Sequence, residues 1–455
     1  MNPELHTSSL PLPRGPGVKA EHVGRFRTSQ ATSTGVFAEP KPALRWLFYA
    51  FVFTIPFETA GVSEGGTAFT ITKLIGYFLV LASFLQPHLC YRQPSLAFWC
   101  FVGYLWVYLC LALLGEPKYI ASIWFRLFTL LQMAVFFWIS YNLLRRDTLA
   151  RAALITFVSS CLLLALLQSL GITVATKGER ISALGDNPNA VGSILALGLL
   201  TGLGLAYGQQ KSSIRARLLA IPMCAVVGYE MVRTGSRGAF VALAAGILLY
   251  ILHHGTAWVK IRNACVVAFV LCVLVWNSYT WETARERWKR TFEYGSMAGR
   301  ERIYPAAWSM FLEKPLQGWG PVHNMVELGD RVHFGRPRDT HNLFLYVLTE
   351  TGILGAVPYF MGIWLCWRAA WRARTSVHGV LPLALLLCVL FINLSLTWHH
   401  RKLHWLVLAY AAASGSYAVA RKSRGQPELA LFSGRPYYSR YRYARPREKE
   451  SREAG

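Results

Sequence analysis

The sequence is poor in charged residues. They make up 15% of the 455 residues, whereas apolar residues make up 54%. A soluble domain usually carries about 25% charge, so this chain has too few charges to cover soluble domains of its length. Its 16 Trp, 21 Tyr and 25 Phe also exclude a disordered chain. The composition therefore predicts an integral membrane protein.

Acidic residues are scarcer than basic ones, with 23 Asp and Glu against 47 Lys and Arg and a net charge of +24. The basic residues are scattered between apolar stretches rather than gathered in one patch, which argues against nucleic acid as a partner. In a membrane protein, such an excess lies in cytoplasmic loops or faces anionic lipid. We therefore expect contacts with membrane lipids.

Several motifs are missing from the chain. It has no phosphate-binding Walker loop, no dinucleotide fingerprint, no Asp-x-Asp metal clamp and no Cys/His spacing typical of zinc. None of the nine cysteines falls in a predicted outward loop, so we expect no disulfide framework. We predict that the protein uses no cofactor and no metal.

Long apolar stretches dominate the chain. A helix of about 20 apolar residues crosses a bilayer core of about 30 Å, and we predict about twelve such helices. They are 44–57, 69–86, 96–114, 120–144, 152–170, 188–207, 216–232, 238–254, 262–278, 342–367, 378–397 and 403–420. The tenth stretch is long, and Gly352, Gly355 and Pro358 predict that it splits into two pieces.

The distribution of Lys and Arg sets the predicted orientation. Alternate connections are rich in basic residues, which places both termini in the cytoplasm. The fold class is then all-α integral membrane with one large outward loop, which is periplasmic if the membrane is a bacterial inner membrane. The predicted parts are a disordered leader without a signal-peptide core (1–43), nine spans (44–278), the loop (279–341), three spans (342–420) and a basic cytoplasmic tail (421–455).

The large loop contains an amphipathic segment, residues 301–313, which predicts a helix on the outer leaflet or over the bundle. Basic residues in the predicted outward segments break the usual rule that positive charge stays inside. They are Lys177, Arg180, Arg233, Arg237, Arg300, Arg302, Arg336, Arg338, Arg401 and Lys402. Lys73 and Arg126 add two cations inside spans, near the outer end. Their common depth predicts a site for an anion, and phosphate suits Arg best.

Some of these cations also have a simpler interpretation, whereas Arg180, Arg237 and Arg300 stand within motifs. Lys73 and Arg126 could extend to the interface without a function. Arg233 could pair with Glu230 one helical turn earlier, and Arg338 resembles a solvated loop charge.

Four segments together carry a family resemblance. They are RISALGDNPNAVG (180–192), TGSRGAFVALAAG (234–246), GRERIYPAAWSMFLEKPLQGWGP (299–321) and THNLFLYVLTETGILG (340–355). In this order, with about twelve spans and a long loop before the His, the chain resembles the O-antigen ligase family over residues 120–400. That family also includes O-antigen and exopolysaccharide polymerases.

The resemblance implies a polytopic glycosyltransferase of the GT-C-like type, in the bacterial inner membrane with its active site on the periplasmic side. The implied donor is a glycan on undecaprenyl diphosphate. A ligase attaches this glycan to the lipid A–core oligosaccharide, whereas a polymerase attaches it to another repeat unit. The implied reaction needs no metal and inverts the anomeric centre.

The resemblance and the residues together assign roles. His341 is the candidate base, because an imidazole titrates near neutral pH, with Arg237 and Arg300 as further catalytic residues. Candidate donor-diphosphate ligands are Arg180, Arg233, Arg237, Arg300, Arg302, Lys73 and Arg126. Candidates for positioning the sugar or the loop are Asn187, Asn189 and Asn342.

Other interpretations of these residues stay open. His341 could order the loop through hydrogen bonds, and the asparagines could cap helix starts. Glu350 could form an ion pair with Arg126 or Lys73, which we favour, or could accept a proton.

Three other functions compete with glycan transfer to lipid A–core or to a repeat unit. A transporter of lipid-linked sugars would show internal repeats and charges near the midplane, whereas here the charges gather at one face. A scaffold that only binds the lipid carrier, and an oligosaccharyltransferase acting on protein, are also possible. Within the family we favour a ligase over a polymerase.

Overall fold

The protein is described here by a computed structural model. It describes residues 39–58, 70–92, 94–172, 174–177, 180–184, 186–207, 214–253, 282–295 and 297–423, together with scattered positions between 257 and 280. The predicted leader 1–43 and tail 421–455 fall almost wholly outside the described residues, as does most of the predicted span 262–278.

The described elements are helices and one short hairpin. In chain order they are α1 (Pro42–Thr54), α2 (Ile71–Phe84), α3 (Pro87–Cys90), α4 (Leu96–Leu113), α5 (Ile120–Leu144), α6 (Asp147–Ser169), β1 (Val174–Lys177), β2 (Arg180–Ala183), α7 (Pro188–Tyr207), α8 (Ile214–Arg233), α9 (Arg237–His253), α10 (Glu282–Tyr294), α11 (Arg300–Glu313), α12 (His323–Arg331), α13 (Leu343–Arg372), α14 (Leu381–Ile392) and α15 (Lys402–Ser423). The strands β1 and β2 pair antiparallel, with Val174 opposite Ala183.

Each predicted span except 262–278 coincides with one of these helices. Among the described residues, five helical segments are long and apolar enough to cross a membrane, and four more are apolar but shorter. The five are Leu96–Leu113, Pro117–Leu144, Asp147–Ser169, Pro188–Tyr207 and Leu343–Thr375. This is the architecture of a polytopic membrane protein, and the full count of twelve spans stays a prediction.

The surface of the helices carries large apolar side chains. Trp46, Leu81 and Trp106 are each about two-thirds exposed, and many other apolar side chains share this exposure. Large apolar side chains exposed in this number suit lipid rather than water.

The helices around α13 pack through aromatic rings. The Phe101 ring lies 4.9 Å from the Trp405 ring and 5.3 Å from the Phe137 ring, which joins α4 to α15 and α5. Gly362 of α13 permits this packing, because a Cβ there would lie 2.6 Å from the Phe101 ring. These contacts fix α13, whose first residues follow the His-Asn motif.

The prediction that the tenth span divides is confirmed at Gly352. This glycine has φ 59° and ψ −161°, so α13 is interrupted within its length. The segment 315–320 of the large loop fills the break: Trp319 and Gly320 donate their N–H groups to the carbonyls of Thr349 and Glu350, at 2.8 and 2.9 Å. The loop therefore satisfies backbone groups that a continuous helix would have paired internally.

The amphipathic segment 301–313 is helical, as predicted, and forms most of α11. Its buried side chains Ile303, Ala307 and Met310 cluster with Leu328 of α12. The helix packs against α13, and so it lies over the bundle. This placement brings Arg300, at the start of α11, close to the start of α13.

Candidate functional site

The site is arranged around the connection between α14 and α15, residues 393–401, which we call the platform loop. Its backbone carbonyls accept three hydrogen bonds from two neighbouring helices, α11 and α13. Arg300 Nη2 donates to Ser395 O (2.8 Å), Tyr304 Oη to Leu394 O (2.7 Å) and Leu343 N to Asn393 O (2.9 Å). The starts of α11 and α13 are thereby held on one surface.

His341 lies at this junction in a tight turn. Its φ is +52°, an uncommon conformation for a residue other than glycine. The turn is held by Asp339, whose Oδ1 accepts from the backbone N–H of His341 at 2.7 Å and from Thr397 Oγ1 of the platform loop at 2.6 Å. The carbonyl of His341 accepts from Tyr304 Oη at 3.3 Å. The backbone of the candidate base is therefore fixed on both sides.

The surroundings of His341 favour its neutral form. Burial lowers the pKa of the imidazole below its ordinary value, and the positive charges of Arg300 and Arg338 lower it further. The carboxylate of Asp339 acts in the opposite direction. An imidazole with a lowered pKa is unprotonated at neutral pH and can accept a proton.

Three arginines from different elements form a cationic cluster beside this turn: Arg237 at the start of α9, Arg287 in α10 and Arg300 at the start of α11. Arg237 Nη1 donates to the backbone carbonyl of Arg287 at 3.0 Å. Burial lowers the pKa of Arg287 to about 10, and the charges of Arg237 and Arg300 add to this effect. Among the described residues, neither Arg287 nor Arg300 forms an ion pair with a carboxylate.

Such a cluster is costly unless an anion binds to it. The Nε atoms of Arg287 and Arg300 are buried and have no hydrogen-bond partner among the described residues. Two helices, α9 and α11, also begin at the cluster, and the positive ends of their dipoles favour negative charge. The arrangement suits a strongly charged anion such as a diphosphate.

The sequence TGSRG explains how Arg237 reaches this cluster. Gly235 adopts φ +60° and turns the chain after α8. Ser236 then begins α9, its Oγ accepting from the N–H of Ala239 at 3.4 Å. A Cβ at position 238 would lie 2.5 Å from Ser395 Oγ, too close for a side chain. Because Gly238 has none, α9 begins directly against the platform loop.

Arg126 lies in a different environment. Its Nη1 donates to Tyr346 Oη at 2.8 Å, and Tyr346 Oη donates to Glu350 Oε1 at 3.0 Å. Tyr104 Oη donates to the other oxygen of Glu350 at 3.2 Å. In place of the expected ion pair with Arg126 or Lys73, Glu350 is thus bound by two tyrosines, and Tyr346 bridges it to Arg126. The charge of Lys73 lies over the Phe125 ring, 6.0 Å from its centroid.

The remaining predicted cations are placed as follows. Arg233 Nη1 pairs with the buried Glu230 at 2.8 Å, the simpler interpretation that its sequence allowed. Arg302 is exposed. Arg180 begins β2, and its side chain lies outside the described part of the chain. Arg338 is half-buried beside His341 instead of fully solvated, with its guanidinium 4.3 Å from the centroid of the Phe334 ring.

Two of the predicted asparagines cap helices. Asn342 Oδ1 accepts from the N–H groups of Phe344 and Leu345, at 2.9 and 3.2 Å, and starts α13. Asn187 Oδ1 accepts from the N–H of Asn189 at 2.9 Å, just before α7. Asn342 therefore orients the turn that carries His341, and the predicted contacts of all three asparagines with sugar stay predictions.

The basic pair after the platform loop is bound within the fold. Arg401 Nη2 pairs with Asp186 Oδ1 at 2.8 Å, and Lys402 pairs with Glu58. These ion pairs join the start of α15 to the turn before α7 and to Glu58, four residues after α1, so a structural role accounts for both cations.

Sequence reasoning missed Arg287, Asp339, Tyr304 and the platform loop. Arg287 stands in the polar helix ETARERWKRTFEY, where neighbouring arginines look alike in the sequence. Asp339 lies two residues before the His of the His-Asn motif, and that proximity was the available signal.

Comparison with known families supports the resemblance. Residues 222–360 match the family model described as O-antigen ligase. The matched segment contains Arg237, Arg287, Arg300 and His341, whereas Arg126 and the platform loop lie outside it. A comparison with curated proteins found no match. The family match indicates an enzyme of the glycosyl-transferring kind, either an O-antigen ligase or a related polymerase.

Proposed function

With the O-antigen ligase match as the premise, we propose that this protein transfers a glycan from undecaprenyl diphosphate to the lipid A–core oligosaccharide. The reaction takes place at the periplasmic face of the inner membrane, and neither a metal nor a cofactor takes part. The observation that carries this proposal is the adjacency of His341 to the cluster of Arg237, Arg287 and Arg300. Arg300 belongs to both, because it lowers the pKa of His341 as well as that of Arg287.

The transfer is a single displacement. The oxygen of an acceptor hydroxyl attacks the anomeric carbon of the donor, and a new glycosidic C–O bond forms. The bond between that carbon and the diphosphate oxygen breaks, and its electron pair leaves with undecaprenyl diphosphate. The hydroxyl proton passes to the neutral imidazole of His341, which later releases it to solvent. Attack opposite the leaving group inverts the anomeric centre.

The arginine cluster binds the leaving group. Negative charge increases on the diphosphate as its bond to the sugar breaks, and fixed guanidinium groups stabilise this charge without rearranging. Arg237 and Arg300 are held by backbone carbonyls at 3.0 and 2.8 Å, so both are positioned before the donor binds. Arg287 supplies a poorly solvated charge, because burial is the main cause of its lowered pKa of about 10.

A transfer assay with purified protein tests the proposal. The substrates are an undecaprenyl-diphosphate glycan and lipid A–core, and the product is a glycan-capped lipid A resolved on a gel. We expect the product with the wild type and its loss in His341→Ala, with insertion and folding unchanged. Activity near wild type in His341→Ala would remove this histidine as the base. Longer undecaprenyl-linked glycans without capped lipid A would make the protein a polymerase.

Substitutions of two arginines in α10 test the proposed site for the leaving diphosphate. In α10, Arg287→Ala should reduce kcat/KM for the donor by about 100-fold, the usual effect of removing one stabilising donor. Arg290→Ala is the matched control, because Arg290 is exposed and pairs only loosely with Glu286 at 3.9 Å. Equal losses in both variants would indicate that general positive charge, rather than the cluster, binds the donor.

A further inference from the structure

A second polar group of side chains lies near His341, outside the arginine cluster. It consists of His399 and His400 of the platform loop, Tyr346 of α13 and Arg126 of α5, and we call it the histidine pocket. The two imidazole rings lie 3.7 Å apart between centroids, and the Tyr346 ring lies 4.6 Å from His399. Arg126 binds Tyr346 and lies within electrostatic range of both histidines.

The two histidines are unusual for buried polar groups. His399 is buried and His400 is half-buried, yet all four ring nitrogens are buried and have no hydrogen-bond partner among the described residues. Buried polar atoms are normally paired, because an unpaired donor or acceptor loses its hydration without compensation. The neighbouring His404 follows this rule: its nitrogens lie 3.1 Å from Tyr359 Oη and 3.2 Å from Asn393 Nδ2.

The backbone of the pair is fixed although the rings are unpaired. Trp405 Nε1 donates to the carbonyl of His399 at 2.7 Å, and Arg401 is bound to Asp186. The rings are therefore presented by a rigid loop, which is the usual condition of a preorganised binding group.

The chemistry of the rings points to a class of ligand. Burial lowers the pKa of His400 to about 3 and that of His399 well below its ordinary value, and Arg126 adds to both effects. Each ring is then neutral and offers one donor and one acceptor. A hydroxyl group is likewise both a donor and an acceptor, whereas an anion would be repelled by the lone pair of the acceptor nitrogen in each neutral ring. Neighbouring sugar hydroxyls are therefore the matching partners.

The histidine pocket and the arginine cluster interact with the His341 turn through different residues. In the arginine cluster, Arg300 is the residue that interacts electrostatically with His341. Arg126 instead interacts electrostatically with Asp339, and Asp339 accepts a hydrogen bond from the His341 backbone. In a single displacement, the acceptor hydroxyl enters opposite the leaving diphosphate. Because the arginine cluster binds the leaving diphosphate, the approach through Asp339 is left for the acceptor.

We propose that Arg126, His399 and His400 form a binding site for the acceptor sugar, in which the imidazole nitrogens and the guanidinium bind its hydroxyl groups. This proposal rests on the proposed function for the identity of the acceptor. It gives Arg126 a role at the acceptor in place of the predicted role at the donor diphosphate.

Thermal unfolding of the purified protein tests binding without requiring transfer. The probes are free core oligosaccharide and an undecaprenyl-diphosphate glycan, and the variants are His399→Phe, His400→Phe and their combination. We expect core oligosaccharide to raise the Tm of the wild type and to leave that of the double variant unchanged. The undecaprenyl-linked glycan should raise the Tm of both. Equal responses of wild type and double variant to core oligosaccharide, or no response of the wild type, would overturn the proposal.

The unliganded proteins supply the control for folding. Because the ring nitrogens of His399 and His400 are unpaired, Phe should hold or slightly raise the Tm at either position. His404→Phe is the matched control and should lower the Tm, because it breaks two hydrogen bonds. A comparable loss of Tm in His399→Phe and His400→Phe would show that these rings have structural partners, against the proposal.

Steady-state transfer then locates the effect. The double variant should raise KM for lipid A–core about tenfold, with KM for the donor unchanged. His400→Gln, which restores a donor and an acceptor, should recover part of the loss. A rise in KM for the donor alone would assign the pocket to the donor. If the wild type transfers nothing, the proposed function fails, while the Tm responses still decide whether the pocket binds sugar.

Discussion

At the scale of single residues, the charges around His341 oppose one another. Asp339 raises its pKa, whereas Arg300 and Arg338 lower it, and burial makes the largest contribution. The hydroxyl of Tyr304 donates a hydrogen bond to the His341 carbonyl. Arg126 interacts with the charge on Asp339. A base in these surroundings stays available at pH values where a solvated histidine would already be protonated.

This balance predicts the pH dependence of transfer. Because the pKa of His341 is lowered, kcat/KM should stay constant through neutral pH and fall only below about pH 6.5, the ordinary value for histidine. Asp339→Asn removes the charge that raises the pKa and should move the fall to lower pH. Arg338→Ala should move it to higher pH. The measurement is kcat/KM against pH for the three proteins, and a fall at one fixed pH in all of them would contradict the role of His341.

At the scale of elements, the joint between the large loop and α13 determines how the loop docks. Gly318 and Gly352 meet backbone to backbone: a Cβ on Gly318 would lie 2.7 Å from the N atom of Gly352 and from the O atom of Thr349. The segment 315–320 can enter the break in α13 only because neither residue has a side chain. Since α11 precedes this segment directly, the joint also places Arg300.

Substitution of Gly318 should therefore weaken the whole loop. Gly318→Ala combines a residue at φ +68° with a backbone clash and should destabilise the protein by about 3 kcal/mol or more. Gly335→Ala is the matched control, because its φ is +66° and no atom lies within 4 Å of the new Cβ. It should cost only about 1 kcal/mol. Thermal unfolding and proteolysis of the loop are the measurements, and equal effects would mean that the clash does not matter.

At the scale of the whole molecule, exposed apolar side chains and the charged residues of the site occupy different parts of the protein. Exposed apolar side chains cover the helices, while the arginine cluster, His341 and the platform loop lie together where α9, α11 and α13 begin. The proposed donor, a glycan on undecaprenyl diphosphate, has the same division, with a long apolar chain and a charged diphosphate. The molecule therefore offers an apolar surface and a cationic site to the two parts of one substrate.

The positive site also predicts the response to chelators. Arg237, Arg287 and Arg300 already supply the charge that a divalent cation would bring, and they would repel such a cation. Transfer should therefore be unchanged after treatment with EDTA, measured as the rate of formation of capped lipid A. A loss of activity that added Mg²⁺ or Mn²⁺ restores would show that a metal takes part.

The sequence by itself determined the membrane class, the helices and the residue at the centre of the proposed site. Apolar stretches of sufficient length form helices in any surroundings that deprive the backbone of water, because only internal hydrogen bonds then satisfy it. The break at Gly352 and the helix around 301–313 were predicted for similar local reasons. The His-Asn motif identified His341, because the residue type and its place before a span are visible in one segment.

Only the tertiary structure decided which cations act together. Arg233 and Arg237 are four residues apart in the chain, yet one pairs with Glu230 and the other reaches Arg287. Arg287 itself is indistinguishable in sequence from Arg285 or Arg290. Pairing and clustering depend on the packing of α9, α10 and α11 against the platform loop, over distances along the chain that no local pattern records. Electrostatic energy depends on distance in space and on burial, and the fold sets both.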